Sequence, residues 1–274
     1  MAYVITYAHM PETRQWDGES YDRVSGPMEG LGLEVLARLE LRGDEVVLDA
    51  GCGSGRVTQA LLERLPEGRV IAVDVSHSMV EAASARLGAP VVSDGPAPAR
   101  GPSGRAEIRL LDLVDLELSE PVDAIFSTAT FHWITDHDRL FRRLHAALRP
   151  GGRLVAQCGG EGNIDVLRGE AHAVLAGEPY AEHFRDWQPP WNYRGAQETR
   201  GRLLEAGFAS AECWLMPAPK QPERPREFLS TIVLGPHVQR LPAGLRDRFL
   251  DDVLARLGDP VIVDYVRLNI DATA

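Results

Sequence analysis

Residues 46–55 read VVLDAGCGSG, a short apolar run that ends in an aspartate and is followed by alternating glycines. A continuous apolar run is typical of a strand that is buried on both faces of a parallel sheet. Glycine lets the backbone turn sharply and approach a ligand closely. The helix expected next, marked by Val57, Leu61 and Leu65, offers unpaired N–H groups at its start. The stretch therefore predicts a strand–turn–helix unit that binds a ligand at its turn.

The same alternation of strands and helices continues along the chain. Strands are predicted at 70–73, 108–111, 122–127, 153–157, 211–216 and 261–271. Helices are predicted at 28–40, 57–65, 79–87, 136–148, 164–177, 196–206, 225–234 and 242–257. Residues 88–105 are rich in glycine and proline and are predicted to form a surface loop. Strands that alternate with helices imply an α/β fold with a doubly wound, mostly parallel sheet and right-handed crossovers.

The bulk composition favours a globular protein that acts on neither nucleic acids nor membranes. The 274 residues carry a formal net charge of −11, and an acidic chain gains nothing from the release of phosphate counterions. The three cysteines are widely spaced, which predicts no disulfide framework and no metal site and fits a reducing cytoplasm. No signal peptide and no apolar run of about 18 residues is apparent. We therefore expect a cytoplasmic protein without a bound metal.

Two kinds of nucleotide site compete for the glycine-rich turn. A dinucleotide site has the pattern GxGxxG, with a pyrophosphate at the start of the helix. Counted from Gly51, the third glycine falls at Arg56, so this pattern is not met. The carboxylate of Asp49 would repel a pyrophosphate, whereas it suits a cationic ligand such as a sulfonium that carries an amino group. The turn favours a sulfonium ligand, and a nicotinamide-dependent oxidoreductase is the weaker alternative.

Two further aspartates end the next long strands. Asp74 follows the second strand, where a carboxylate can accept both hydroxyl groups of a ribose or can instead cap the next helix. Asp112 can accept a hydrogen bond from an adenine amino group, with the backbone N–H of Leu113 beside it, or can serve only the turn. Because ligands of such sheets lie beyond the carboxyl ends of the strands, Asp49, Asp74 and Asp112 together predict one nucleotide site.

Four segments give the chain a resemblance to a known family. They are residues 47–55 (VLDAGCGSG), 73–79 (VDVSHSM), 131–134 (FHWI) and 148–152 (LRPGG). Together they resemble the motifs of class I S-adenosylmethionine-dependent methyltransferases. Within that superfamily the chain is similar to the small-molecule branch that includes the trans-aconitate methyltransferases. The resemblance is specific over residues 15–160 and looser beyond them.

The resemblance implies a Rossmann-like methyltransferase fold. We expect a seven-stranded sheet with an antiparallel last strand at 261–271 and a helical cover formed by parts of 162–193 and 222–258. The whole chain, 1–274, would be a single methyltransferase domain. Its expected parts are an N-terminal arm and first helix (1–45), a cofactor-binding core (46–160), a partly helical cover with the sixth strand (161–258) and the last strand (259–274).

The resemblance also implies the residues that bind S-adenosylmethionine, whose product is S-adenosylhomocysteine. From the methionine end to the adenine, the expected residues are Asp49, Gly51, Gly53, Ala129, Asp74, Val75, Met79, Asp112 and Leu113. Ala129 would approach the sulfonium. Trp16 and Tyr21, from the N-terminal arm, are expected to fold over the cofactor.

Candidates for the acceptor site follow the fourth strand and lie in the cover. His132 is the leading candidate for a general base, and a histidine that is hydrogen-bonded to the backbone is the equally weighted alternative. Trp133 is expected to form a wall of the site, and Trp191 with Tyr193 either a second wall or a separate hydrophobic cluster. Arg267 could pair with an acidic acceptor, although an arginine on a strand is more often an exposed surface residue.

The predicted function is methyl transfer to a small-molecule acceptor at oxygen, in a carboxylate or a hydroxyl group. The alternatives are methylation of a small metabolite at carbon or nitrogen, or a cofactor-binding protein of the same fold without turnover. Residues 127–130 read STAT, where methyltransferases of nucleobase amino groups carry an Asn-Pro-Pro-Tyr type of segment. Together with the net charge, this difference disfavours a nucleic acid as substrate.

Overall fold

The structure, a computed structural model, describes residues 26–92 and 105–274. Trp16 and Tyr21, as well as residues 93–104 of the predicted loop, lie outside the described residues. Its strands are β1 (Val46–Ala50), β2 (Arg69–Asp74), β3 (Val91–Val92), β4 (Ala106–Leu110), β5 (Val122–Thr128), β6 (Leu148–Gly159), β7 (Ser210–Pro217) and β8 (Val266–Thr273).

The helices occupy most of the positions that apolar periodicity predicts. They are α1 (Gly26–Arg38), α2 (Arg56–Glu63), α3 (His77–Leu87), α4 (His137–Ala147), α5 (Asp165–Leu175), α6 (Ala181–Phe184), α7 (Ala196–Glu205), α8 (Pro225–Phe228), α9 (Gly235–Arg240) and α10 (Ala243–Leu257). The short helices α6 and α9 were not predicted. Within the described ranges, no helix combines the length and the apolar character needed to cross a membrane.

The eight strands of the described residues form one sheet in the order β3-β4-β2-β1-β5-β6-β8-β7. Strands β1 to β6 run parallel, and β8 is antiparallel to both β6 and β7. The doubly wound fold with an antiparallel last strand is thus confirmed. The prediction of seven strands was wrong by one, because β3 lies within the segment predicted to be a loop. With two residues, β3 is too short to show a strand pattern in the sequence.

The strand order fixes where a ligand can bind. From β1 the chain moves to one side, through β2, β3 and β4, and then returns to the other side of β1 with β5. In open α/β sheets, ligands bind outside the carboxyl ends of the strands at such a reversal. The turns after β1, β2 and β5 meet at this place.

Two hydrophobic cores cover the two faces of the sheet. In β1, the buried Leu48 packs in a core with α4 and α7, whereas its neighbour Val47 packs in a second core with α1, α2 and α3. A third cluster, here called the cover cluster, joins α5, α8 and α10 and includes Leu167, Phe228 and Phe249. Met28 and Leu31 of α1 also belong to the cover cluster, so α1 contacts both the cover and the sheet.

Candidate active site

The glycine-rich turn after β1 is held against β2 by backbone hydrogen bonds. The N–H groups of Gly51 and Cys52 both donate to the carbonyl oxygen of Val73, over 2.8 and 2.9 Å. Gly51 has a φ of 89°, and a Cβ atom at this position would lie 2.1 Å from Oγ1 of Thr130. Both the backbone conformation and the space therefore require glycine. A Cβ atom at Gly53 would meet nothing within 4 Å, so this part of the turn borders open space.

Asp49 lies beneath this turn, with a side chain that is only 1% exposed. Oγ1 of Thr58, in α2, donates a hydrogen bond of 2.6 Å to its Oδ2. Burial raises the pKa of Asp49 to about 7; the bond from Thr58 lowers this pKa, and the nearby charge of Asp74 raises it. A cation at this position would stabilise the ionised carboxylate and so be bound by it.

Asp74 connects the turn after β1 to the turn after β2. Its Oδ2 accepts the N–H of Gly53 and its Oδ1 accepts the N–H of Ser76, each over 2.9 Å. Burial raises the pKa of Asp74, and these hydrogen bonds act in the opposite direction. Ser76, not Asp74, is the N-cap residue of α3. Each carboxylate oxygen can accept two hydrogen bonds, so Asp74 retains the capacity to accept ribose hydroxyl groups.

The three residues predicted at the adenine end lie farther along the same edge of the sheet. Asp112 caps a short 3-10 turn and accepts the N–H of Val114 over 3.1 Å, which is the turn role that the sequence left open. Leu113 and Met79 are buried in hydrophobic surroundings, 4% and 3% exposed. Contact of these residues with adenine stays a prediction.

Ala129 occupies the turn after β5 in a left-handed conformation, with a φ of 57°. Such a conformation is uncommon for a residue other than glycine and often marks a functional site. The N–H of Ala129 donates to the carbonyl oxygen of Gln157, over 2.8 Å. Ala129 lines one cleft together with Asp49, Gly51 and Gly53. The structure thus brings together the residues that were predicted around the methionine end of the cofactor.

Thr58 and Thr130 hydrogen-bond to residues that line this cleft or border it, although sequence interpretation did not single them out. Thr58 lies in the first turn of α2, and Thr130 donates through Oγ1 to the carbonyl oxygens of Thr128 and Gly51, over 3.0 and 3.3 Å. A hydroxyl three residues after the last glycine of the turn was the available signal for Thr58. Thr130 gave no signal, because its contact with Gly51 joins two distant segments.

His132 lies just beyond Ala129, 7% exposed, in the short turn Phe131–Trp133. Its Nδ1 accepts the backbone N–H of Gly159 over 3.3 Å, which is the alternative of a backbone-bonded histidine that the sequence left open. A neutral imidazole that accepts at Nδ1 carries its proton on Nε2. His132 can therefore act as a hydrogen-bond donor through Nε2–H.

An aromatic wall surrounds this histidine; we define it as His132, Trp133, Trp191 and Tyr193. The rings of Trp191 and Tyr193 stack at 6.0 Å with an interplanar angle of 9°, and Tyr193 stacks on His132 at 5.7 Å. Trp133 completes the wall at 6.3 Å from Trp191. The guanidinium carbon of Arg168 lies 5.9 and 5.8 Å from the ring centroids of Trp191 and Tyr193. The residues predicted to line the acceptor site thus lie together.

Arg267 lies close to the aromatic wall and is 2% exposed. It is opposite Gly159 in the register of β6 and β8, and its Nε donates to Oε1 of Gln157 over 3.3 Å. Burial raises the pKa of Tyr193, while the charges of Arg168 and Arg267 act to lower it. The expectation that a strand arginine is exposed was wrong here, because β8 lies between β6 and β7 and not at the edge of the sheet.

Comparison with known proteins identifies the family. The chain matches the methyltransferase domain model over residues 47–152. It is 30% identical over 271 residues to a trans-aconitate 2-methyltransferase from Variovorax paradoxus, across 92% of this chain and 93% of that relative. The chain belongs to the S-adenosylmethionine-dependent methyltransferases. A trans-aconitate 2-methyltransferase from Acidovorax sp. is 28% identical over 258 residues, with 89% of each chain covered.

Solved structures of a methyltransferase and of a cyclase share the fold of this chain. The phosphoethanolamine N-methyltransferase 2 of Haemonchus contortus, solved with S-adenosyl-L-methionine, superposes with a TM-score of 0.59 at 18% identity and covers 94% of this chain and 56% of its own. The [4+2]-cyclase SpnF superposes with a TM-score of 0.54 at 18% identity, over 89% of this chain and 80% of its own. The predictions of the methyltransferase family and of S-adenosylmethionine as cofactor are thus confirmed.

The residues of the cleft fit this cofactor. A buried carboxylate at Asp49 suits the ammonium and sulfonium charges of the methionine end, and the open space beside Gly53 allows close approach to the backbone. Asp74 retains acceptor capacity that ribose hydroxyl groups could use. In the described part of the chain, no cluster of His, Cys, Asp and Glu is arranged to hold a metal ion.

Proposed function

We propose that this methyltransferase transfers the methyl group to an oxygen of a small-molecule carboxylate. The observation that carries the proposal is the position of Gln157. Its backbone carbonyl holds Ala129 at the cofactor cleft, and its side chain holds the buried Arg267 beside the aromatic wall. This arrangement supports a role for Arg267 as a cation near the position where we expect methyl transfer. Arginine is well suited to carboxylates, because its planar guanidinium can donate two parallel hydrogen bonds.

A carboxylate acceptor also agrees with the hydrogen bonds of His132. When bound, S-adenosylmethionine supplies a methyl group that is already activated by its sulfonium. A carboxylate needs no proton removed, so the chain mainly has to hold the acceptor oxygen in line for transfer. With Nδ1 engaged by Gly159, His132 is equipped to donate to a carboxylate oxygen and not to accept a proton.

The relatives support the same class of acceptor. The named relatives from Variovorax paradoxus and Acidovorax sp. are trans-aconitate 2-methyltransferases, whose substrate carries carboxylates. Arg168 and Arg267 lie near the stacked rings and can neutralise an acceptor with more than one carboxylate. We further propose that the acceptor is a free metabolite and not a nucleic acid, and that the enzyme is cytoplasmic, as the net charge of −11 and the cysteine content suggest.

The direct test is a labelled-methyl assay on a panel of acceptors. Purified protein is incubated with methyl-labelled S-adenosylmethionine and with trans-aconitate, citrate, a phenol, an alcohol or an amine, and the products are identified by mass spectrometry. We expect methyl esters from the carboxylates. Label found only on the phenol, the alcohol or the amine would contradict the proposal.

Two variants of His132 separate a donor from a general base. His132→Gln keeps an amide N–H donor, whereas His132→Phe has none. If His132 donates to the acceptor, His132→Phe lowers kcat/KM about tenfold or more, because it loses one hydrogen bond to a charged group. His132→Gln lowers kcat/KM less, because its amide can still donate. A general base predicts equal, larger losses in both variants. The exposed His172→Asn serves as the control and should leave kcat/KM unchanged.

A further inference from the structure

The mouth of the cofactor cleft carries a pair of opposite charges that no motif accounts for. Glu29, in α1, and Arg56, the first residue of α2, both line the cleft, and Arg56 Nη1 lies 2.8 Å from Glu29 Oε2. Arg56 is the residue that stands where a dinucleotide site would have its third glycine. Among the described residues that line the cleft, Glu29 and Asp49 are the acids and Arg56 is the one cation.

This distribution of charge is complementary to an α-amino acid. The methionine end of the cofactor carries one ammonium and one carboxylate group. Asp49 suits the ammonium group, but the two acids, Asp49 and Glu29, would repel the carboxylate. Among the described residues that line the cleft, two features carry positive charge that would attract a carboxylate. They are the guanidinium of Arg56 and the start of α2, whose N-cap residue Gly55 provides no side-chain cap.

The ion pair does not prevent Arg56 from binding a ligand. The side chains of Arg56 and Glu29 are 29% and 37% exposed, and pairs of this exposure contribute little to stability. A guanidinium group has five N–H donors, so it can hold Glu29 and a second carboxylate together. The backbone around the pair is fixed, because α1 packs closely on α2: a Cβ atom at Gly32 would lie 2.8 Å from Cγ2 of Val57.

We propose that Arg56 binds the carboxylate of the cofactor's amino-acid tail and that Glu29 positions the guanidinium for it. Arg56 is then a specificity determinant for the amino-acid portion of the cofactor. Glu29 is a positioning residue that acts through Arg56. The inference concerns cofactor binding alone and is independent of which acceptor is methylated.

The test compares two ligands that differ only in this carboxylate. Binding of S-adenosylmethionine and of its decarboxylated analogue is measured by calorimetry for the wild type, Arg56→Gln, Arg56→Lys and Glu29→Gln. We expect Arg56→Gln to lower the affinity for S-adenosylmethionine about tenfold or more, the usual effect of losing a hydrogen bond between charged groups. Its affinity for the decarboxylated analogue stays the same or rises, because that ligand carries more positive charge.

The other variants separate charge from position. Arg56→Lys keeps the charge but loses the planar donors, so its affinity for S-adenosylmethionine falls between those of the wild type and Arg56→Gln. Glu29→Gln shows a smaller loss that is again confined to S-adenosylmethionine. As a control, Arg143→Gln breaks a comparable pair with Glu117, of 2.9 Å, and leaves both affinities unchanged. Thermal unfolding without ligand checks that every variant is folded.

Two results would overturn the inference. One is an affinity of Arg56→Gln for S-adenosylmethionine within about twofold of the wild type, since a lost charge-assisted bond has a larger effect. The other is an equal loss for both ligands, which would mean that Arg56 shapes the cleft without contacting the carboxylate. If Arg56→Gln does not fold, the same two ligands are compared in Glu29→Gln. A loss of affinity confined to S-adenosylmethionine supports the inference. Affinities for both ligands that equal those of the wild type overturn it.

Discussion

Replacing Asp49 by asparagine should stabilise the protein and at the same time weaken its binding of the cofactor. The carboxylate is 1% exposed, and its charged form is paired with no cation among the contacts of the described residues. Asparagine has nearly the same shape, and its Oδ1 can accept the hydrogen bond that Thr58 donates. The substitution therefore removes a buried charge and keeps the local packing.

The magnitude follows from the pKa of this group. Burial raises the pKa of Asp49 from 3.8 to about 7, so the folded state binds more protons than the unfolded state between these values. The free energy of unfolding then falls as the pH rises through this window, and ionisation at about pH 8 costs the wild type on the order of 4 kcal/mol. About 2 to 3 kcal/mol of this cost arises between about pH 5 and about pH 8. The amide introduced by Asp49→Asn does not titrate, so the variant avoids this cost.

Urea denaturation of the unliganded protein measures this effect directly. The free energy of unfolding is determined near pH 5 and near pH 8 for the wild type, Asp49→Asn and the exposed control Asp186→Asn. We expect Asp49→Asn to be more stable than the wild type near pH 8, with a smaller advantage near pH 5. Calorimetry near pH 8 should show at least a tenfold loss of S-adenosylmethionine affinity, the order expected for removing a buried charge partner.

Two outcomes would show that Asp49 does not have this role. A stability difference between Asp49→Asn and the wild type that is the same near pH 5 and near pH 8 would show that Asp49 does not titrate in this window. An unchanged affinity for S-adenosylmethionine would show that the Asp49 carboxylate does not interact with the charged methionine end. The exposed control Asp186→Asn should change neither quantity.

The remaining predictions concern the same cleft. Gly51→Ala should abolish cofactor binding and destabilise the protein by about 2 kcal/mol or more, measured by calorimetry and urea denaturation, because its Cβ would collide with Thr130; normal binding would contradict the geometry of the turn. Asp74→Ala should weaken S-adenosylhomocysteine binding, measured as a free energy, more than it lowers the free energy of unfolding. An unchanged affinity would show that Asp74 does not bind the ribose. In the wild type, S-adenosylmethionine affinity should rise with pH up to about pH 7, because the bound cation favours ionised Asp49; a flat profile would count against this. Thr58→Val should shift that profile to higher pH, because a bond that lowers the pKa of Asp49 is lost.

The proximity of Asp49, the glycines and Asp74 could be predicted from sequence because the signals are local. The apolar run, the aspartate and the glycines of residues 46–55 predict a strand and a turn that leads into a helix. Asp74 marks the end of the adjacent strand. Backbone hydrogen bonds from Gly51 to Val73 then join the two turns directly. A parallel sheet brings the carboxyl ends of such strands to one edge. The proximity of the residues at these ends therefore follows from the strand positions alone.

The aromatic wall and the buried Arg267 depend on contacts that the sequence does not show. Arg267 is buried only because β8 lies between β6 and β7, which is a property of strand order. Trp133 contacts Trp191, and Tyr193 contacts His132, across segments that are far apart in the sequence. The choice between a wall and a separate cluster could not be made from the spacing of these residues. The hydrogen bond from Gly159 to Nδ1 of His132 is likewise long-range.

Calorimetry measures directly whether this cleft binds S-adenosylmethionine at Asp49 and Asp74. The wild type is titrated with S-adenosylmethionine and S-adenosylhomocysteine beside Asp74→Ala. We expect one saturable site for each ligand in the wild type and a marked loss of affinity in Asp74→Ala. No heat of binding to the wild type at high micromolar ligand, with the protein folded, would contradict it.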